Sequence, residues 1–290
     1  MGLCRPRIEG DALSRTLCER TSGEILVDRN LKATFQFLGT GASAGVPVVG
    51  CKCEICQSAS PRNQRLRPSG LIKIGNQCLL IDIGPDFRQQ ALRYQIDRVD
   101  GLLLTHTHYD HIAGIDELRI FFVREKRAVP CLLSKESYDD LHKRYDYLFK
   151  RGSEKGSLTA QLELQVLEKN HGETEFLGQK IGYVSFFQGG MKVTGFRLGR
   201  FAYISDIRDY DDAIFDYLRG VEVLVLSALR SEPSPLHLSL EEAVAFSRKV
   251  GAKLTRLTHI AHAIDHETAN RALPPDVQLG YDGLKLEFSL

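Results

Sequence analysis

The sequence predicts an α/β protein in which sheets are covered by helices on their outer faces. Short runs rich in Ile, Leu and Val, bounded by Gly, Asp or Asn, recur along the chain after Ala33 and read as strands. Between them lie stretches of helical period with recognisable ends. No segment dense in Pro, Gly or Ser divides the chain, and no short-period repeat or low-complexity tract interrupts it.

Residues 1–31 stand apart. They are polar, arginine-rich and without sustained periodicity, and read as a mobile or loosely packed extension; an upstream translation start would look the same. One compact domain is expected over 32–290. Its strands are expected over 35–38, 71–74, 78–83, 101–105, 129–133, 162–166, 181–186, 201–205, 221–227 and 254–258. Two helices carry clear punctuation. Ser239 with Glu242 forms a capping-box pattern opening Leu240–Val250, and Gly251 closes it. Residues 135–150 are helical by period, with Gly152 just beyond and His142 on the polar face.

The chain has 290 residues, 38 basic and 37 acidic, for a net charge of +1. That balance gives no global pull toward nucleic acid or an anionic membrane, and neither is expected as a partner. No apolar run reaches the roughly 18 residues of a membrane span. The N-terminus lacks the apolar core of a signal peptide, and Pro6 stands where a myristoylation motif needs Ser or Thr. The expected compartment is therefore the cytoplasm, where clustered cysteines are metal ligands more often than disulfides. Of seven cysteines, three crowd into Cys51-Lys52-Cys53-Glu54-Ile55-Cys56. Cys4 and Cys18 are scattered, and Cys78 and Cys131 lie in apolar runs as small core residues.

The strongest chemical signal is Thr105-His106-Thr107-His108-Tyr109-Asp110-His111. His106 and His108 are two apart at the end of an expected strand, so both imidazoles project to one side and can reach one cation. Asp110 and His111 follow where the chain should turn into a helix beginning near Ile112-Ala113-Gly114, and can serve a second cation. Imidazole with carboxylate suits zinc, and also manganese or iron. The plain alternative, a polar turn of satisfied surface histidines, accounts poorly for four potential ligands directly after an apolar strand.

This pattern resembles the metallo-β-lactamase superfamily, which implies a four-layer αββα sandwich with metals at the sheet edges. The resemblance extends to Phe37-Leu38-Gly39-Thr40-Gly41 with Gly45-Val46-Pro47, to Ile81-Asp82-Ile83-Gly84-Pro85-Asp86-Phe87-Arg88, and to Gly114-Ile115-Asp116-Glu117-Leu118-Arg119. These are similar to the PhnP branch, phosphodiesterases that open a phosphoribosyl cyclic phosphate, and the likeness covers about residues 33–290. It implies that Asp206, in Tyr203-Ile204-Ser205-Asp206, bridges two metals and that His259 completes the second site. Alone, Asp206 would read as a helix N-cap and His259 as a satisfied core histidine. A metal-bound hydroxide would then attack a phosphate held by both metals, since zinc lowers the pKa of bound water to about 7. The resemblance makes His237 the general acid for the leaving oxygen, with an exposed loop histidine as the bland reading, and counts Asp110 with the catalytic residues.

One position departs from the family. A third histidine for the first metal is expected in a His-Gly step shortly before Gly195-Phe196-Arg197, and Gln188 stands there instead. His171-Gly172 lies too far upstream and reads as a turn. A glutamine oxygen is a weaker donor to zinc, so the first site keeps His106, His108 and Asp206 and should bind more loosely. Three outcomes are open: a dinuclear site with one weak metal, which is favoured, a mononuclear site, or a preference for manganese. Less than two equivalents of active-site metal are expected without supplementation.

Cys51, Cys53 and Cys56 offer three thiolates suited to tetrahedral zinc, and the resemblance supplies His262 as the fourth ligand of a structural ion. A redox role is the competing reading. His266 lies nearby with nothing to require it as a ligand. The leading expectation for function is a metal-dependent hydrolase cleaving a small phosphate diester, cyclic ones included. The alternatives are a nuclease of the tRNA 3′-end-processing type and a catalytically weakened accessory protein. A homodimer is implied by the resemblance alone.

Overall fold

A computed structural model of the chain describes residues 32–149 and 159–290. The N-terminal extension, Cys4, Cys18 and Gly152 lie outside the described residues.

The first sheet contains β1 (Lys32–Gly39), β2 (Ser69–Ile74), β3 (Gln77–Ile81), β4 (Gly101–Leu103), β5 (Val129–Ser134), β6 (Leu162–Leu167) and, from the far end of the chain, β14 (Lys285–Ser289). The second contains β7 (His171–Phe176), β8 (Gln179–Gln188), β9 (Met191–Leu198), β10 (Phe201–Ile204), β11 (Val223–Ser227), β12 (Leu254–Thr258) and β13 (Val277–Leu279). Their orders are β14-β1-β2-β3-β4-β5-β6 and β13-β12-β11-β10-β9-β8-β7. Each sheet is antiparallel at one side and parallel at the other, through β3 to β6 and β10 to β13.

Among the described residues, seven α-helices cover these sheets: α1 (Phe87–Arg93), α2 (Tyr109–Ile112), α3 (Arg119–Glu125), α4 (Lys135–Arg144), α5 (Ile214–Tyr217), α6 (Leu240–Val250) and α7 (His266–Ala272). The alternation of strand side chains shows why four layers form. On β3 to β5, Leu79, Ile81, Leu103 and Leu132 face the other sheet. Their neighbours Leu80, Leu102, Cys131 and Leu133 face outward, onto Phe87, Phe121 and Leu141 of the helices. On β10 and β11, Phe201, Tyr203, Val223 and Val225 point inward, while Ala202, Ile204, Leu224 and Leu226 meet Ile214, Ala243 and Phe246. Strands buried on both faces need apolar residues at every position, which is why they read as short unbroken runs.

Several expected boundaries differ. The 101–105 strand stops at Leu103, and the helix expected near Ile112 begins at Tyr109, placing Asp110 and His111 in its first turn. The 135–150 helix is α4 followed by a 3₁₀ turn over Asp146–Leu148. His142 is half-buried there, its ring packed on Tyr138 and Phe149 rather than purely on a polar face. His171 is not in a turn but opens β7, and β9, β13 and β14 were not anticipated. The capping box on α6 forms as expected, with Gly251 in the left-handed conformation. Cys131 is fully buried and Cys78 is half-buried.

Candidate metal centre

The parallel strands end at one edge of the sandwich, where α/β folds place their ligands. Asp82 follows β3, His106 to His111 follow β4, Asp206 follows β10 and His259 follows β12. Gln188 ends β8, which runs in the direction of β10 because β9 is antiparallel to both. Asp82, Asp206 and His259 have left-handed backbones, with φ of 57°, 56° and 62°. Such conformations cost a non-glycine residue roughly 1–3 kcal/mol and persist where the surrounding fold over-determines them.

Asp82 is fully buried and accepts from Thr105 N at 2.8 Å, from Thr105 Oγ1 at 2.8 Å and from His111 Nδ1 at 2.7 Å. That last bond holds the His111 proton on Nδ1 and leaves Nε2 free to ligate. Two glycines let α2 close over the end of β3. A Cβ on Gly84 would lie 2.1 Å from the Asp110 carbonyl oxygen, and one on Gly114 would lie 2.2 Å from that of Gly84. With both side chains absent, Ile83 N donates to His111 O at 2.7 Å and Gly114 N to Ile83 O at 2.9 Å.

His111 Nε2 lies 3.1 Å from Asp206 Oδ2 and 3.3 Å from Asp110 Oδ2. His259 Nε2 lies 3.2 Å from Asp110 Oδ2 and 3.1 Å from Asp206 Oδ1. Ligand atoms sharing one zinc sit about 3–3.5 Å apart, given bonds of about 2.0–2.2 Å. His111 Nε2 is moreover buried without a hydrogen-bond partner, which is costly unless a cation meets it. Asp110, His111, Asp206 and His259 therefore fit a divalent metal. Asp206 is not a helix N-cap, since the next helix begins at Ile214. Nor is His259 a satisfied core histidine, since its Nδ1 has no partner.

The other half is looser. His106 Nε2 and His108 Nδ1 are 2.9 Å apart, and Thr105 Oγ1 lies 3.0 Å from His106 Nδ1. The ligand atoms of His106, His111 and Asp206 lie within 4.8 Å of one another, as do those of Asp206, His237 and His259. His111 thus borders both halves instead of facing only the second. Asp206 lies between them, grouped with His106 and His111 on one side and with His237 and His259 on the other.

Electrostatics keep the carboxylates ionised. Burial would raise Asp110 and Asp206, but His111 and His259 outweigh it and hold both well below the usual carboxylate range. Burial likewise opposes charge on His111 and His259, yet the carboxylates beside them raise both. His106 is pushed down by burial and by His111. His237, stacked on His259 at 4.7 Å, is lowered to about 4 by burial and then by the His259 charge. Gln188 is buried in the site, with Nε2 3.1 Å from Asp206 Oδ1 and 2.9 Å from His237 Nε2.

Some 200 residues apart in sequence, Cys51, Cys53 and Cys56 converge on His262, their sulfurs 3.4, 3.5 and 3.5 Å from its Nδ1. A zinc tetrahedron with Zn–S of about 2.3 Å and Zn–N of about 2.0–2.1 Å has a sulfur–nitrogen edge of about 3.5 Å. Cys53 is pulled down to about 6 by the backbone N–H of Cys56 and by His262, which favours the thiolate a metal needs. His266 is no part of this cluster; its Nδ1 accepts from Arg65 Nη2 at 3.0 Å. Asp82 was the functional residue that pattern reading passed over. Its signal was a lone acidic residue directly after a strand apolar on both faces.

A four-layer sandwich with clustered imidazoles and carboxylates at its strand ends defines a protein of the metallo-β-lactamase fold. The β-lactamase superfamily domain matches residues 77–260. A crystal structure of a diphosphatase from the PhnP family is 39% identical and superposes with a TM-score of 0.82, covering 89% of this chain and 98% of that one. The chain belongs to the PhnP family of that superfamily. An octanoyltransferase of Porphyromonas gingivalis is 32% identical over 251 residues, which are 86% of this chain and 50% of that protein. The chain thus spans about half the length of this curated relative. Zinc-bound PqqB from Methylobacterium extorquens, at 19% identity, has a TM-score of 0.70 over 87% of this chain and 99% of its own, a likeness of fold alone. Among the described residues, no helix is long and apolar enough to cross a membrane.

Proposed function

We propose that this chain is a metal-dependent phosphodiesterase acting on a small phosphate diester, cyclic ones included. The observation that carries the reading is Asp206, a buried carboxylate that groups with His106 and His111 on one side and with His237 and His259 on the other. A divalent ion held there, zinc or manganese, supplies a water-derived nucleophile at neutral pH and neutralises phosphate charge.

The chain's own residues do the rest. Asp82 fixes His111, Asp110 and Asp206 stay ionised, and His106 and His108, 2.9 Å apart, stand at the other half. His237 is the donor for the leaving oxygen. A bound phosphate anion raises its proton affinity, against the burial that lowers it. Cys51, Cys53, Cys56 and His262 hold a separate structural zinc. The 39% identical PhnP-family diphosphatase supports phosphate-bond hydrolysis as the reaction class.

Purified protein supplied with zinc or manganese is expected to hydrolyse bis(4-nitrophenyl) phosphate. His237→Ala is expected to lower kcat by about 100-fold or more with bound metal unchanged. No turnover with any divalent metal sinks the reading. A matching loss of metal in His237→Ala would make that histidine a ligand instead.

A further inference from the structure

We propose that Gln188 is not a metal ligand but a positioning residue, whose amide N–H groups hold both Asp206 and His237. The inference rests on reading His237 as the donor for the leaving oxygen. Gln188 stands where the family pattern needs an imidazole, and its place at the end of β8 brings it into the cluster. The orientation of the amide is what decides its role.

In this structure the amide atom 3.1 Å from Asp206 Oδ1 is the nitrogen, a donor facing a carboxylate oxygen. The same nitrogen lies 2.9 Å from His237 Nε2 and 3.3 Å from its Nδ1, so one hydrogen points at Asp206 and the other at the imidazole edge. An amide nitrogen offers a cation no lone pair, since that pair is delocalised into the carbonyl, so any ligation by Gln188 would have to run through Oε1. The remaining atom, Oε1, is buried and has no hydrogen-bond partner among the described residues.

His237 Nδ1 lies 3.6 Å from Asp206 Oδ1, so the amide holds the imidazole beside the shared carboxylate. Donation to Asp206 restrains the carboxylate that both halves share. The first half is then left with His106, His108 and Asp206 as its protein ligands, and Gln188 contributes aim rather than affinity.

The two roles separate in a split between metal affinity and turnover. Gln188→Ala and the bulkier Gln188→Leu, which preserves packing, remove both N–H donors. Zinc and manganese affinities are measured by calorimetry and chelator competition. Turnover is measured at saturating metal on an aryl diester, with a good leaving group, and an alkyl diester, with a poor one. Both variants are expected to weaken each metal by less than about tenfold, through the lost restraint on Asp206, to lower kcat about tenfold on the alkyl diester and less on the aryl one, and to leave KM unchanged. Gln188→His, which supplies the missing imidazole, is expected to tighten the weaker metal about tenfold or more. The proposal is overturned if Gln188→Ala and Gln188→Leu weaken a metal tenfold or more, since Oε1 would then be a ligand. It is equally overturned if they leave kcat unchanged on both diesters. Should the wild-type protein cleave neither diester, the phosphodiesterase reading fails, and the metal affinities alone still decide whether Gln188 ligates.

Discussion

Asp82 carries a buried carboxylate whose partners are Thr105 and His111, and it touches none of the open face of the cluster. Burial pushes its pKa up, and the neighbouring His111 charge and hydrogen bonds pull it back. Its charge both orients the His111 ring and raises that ring's basicity toward a cation. Asp82→Asn is therefore expected to weaken metal binding about 10–100-fold, measured by chelator competition, with the circular dichroism spectrum retained. Unchanged affinity would show that the ring needs no anchor. His266 gives a second residue-scale prediction. Burial, then Arg65 and Arg62, lower it to about 4 from the ordinary 6.5. Above 6.5 both folded and unfolded chains hold this ring neutral. As pH falls from 6.5 toward 4, only the unfolded chain takes up the proton, so stability is lost over that window. A melting-temperature profile against pH should show this decline, and His266→Asn should flatten it. The ligand identities were readable in the sequence because four of them lie within six residues. Asp82 was not, because its bond to His111 joins positions 29 apart and depends on the closure that Gly84 and Gly114 allow.

The loop between β1 and β2 shows how elements, rather than single side chains, hold the site together. Ala42 N donates to Ile260 O at 3.0 Å and Ile260 N to Thr40 O at 2.9 Å, which stitches this loop to the segment carrying His259. The three cysteines reach His262 on the same segment. A metal there would brace the turn that forces His259 into its left-handed backbone. Cys53→Ser is expected to remove one equivalent of zinc and to lower the melting temperature by about 5 °C or more. Full metal content with an unchanged melting temperature would refute a structural zinc. At this scale the sequence showed α6 well, because its capping box and terminal glycine are local features. It did not show β7. That strand alternates buried and exposed positions only weakly, so pattern alone made His171 look like a turn.

Across the whole molecule, the layer between the sheets is built from rings. Phe35 packs on Phe37 at 4.8 Å, on Phe201 at 4.9 Å and on Tyr203 at 5.8 Å between ring centroids. These rings come from both sheets, so the layer couples the two halves on which the site's ligands stand. Phe35→Ala is expected to destabilise the fold by about 3–5 kcal/mol in denaturant titration. Loss of the far-ultraviolet signal and of bound metal should coincide; metal release well before unfolding would separate site from core. The sequence by itself determined that the protein is α/β, which residues carry ligand chemistry and where the cysteines cluster, because propensity, period and close spacing are local. The tertiary structure alone decided that Phe35 pairs across to Leu286 and that Asp206 stands between the two halves. It also decided that Gln188 lies between Asp206 and His237. These depend on strands far apart in sequence meeting at one edge, where burial and hydrogen bonding, not residue type, assign each side chain its partner.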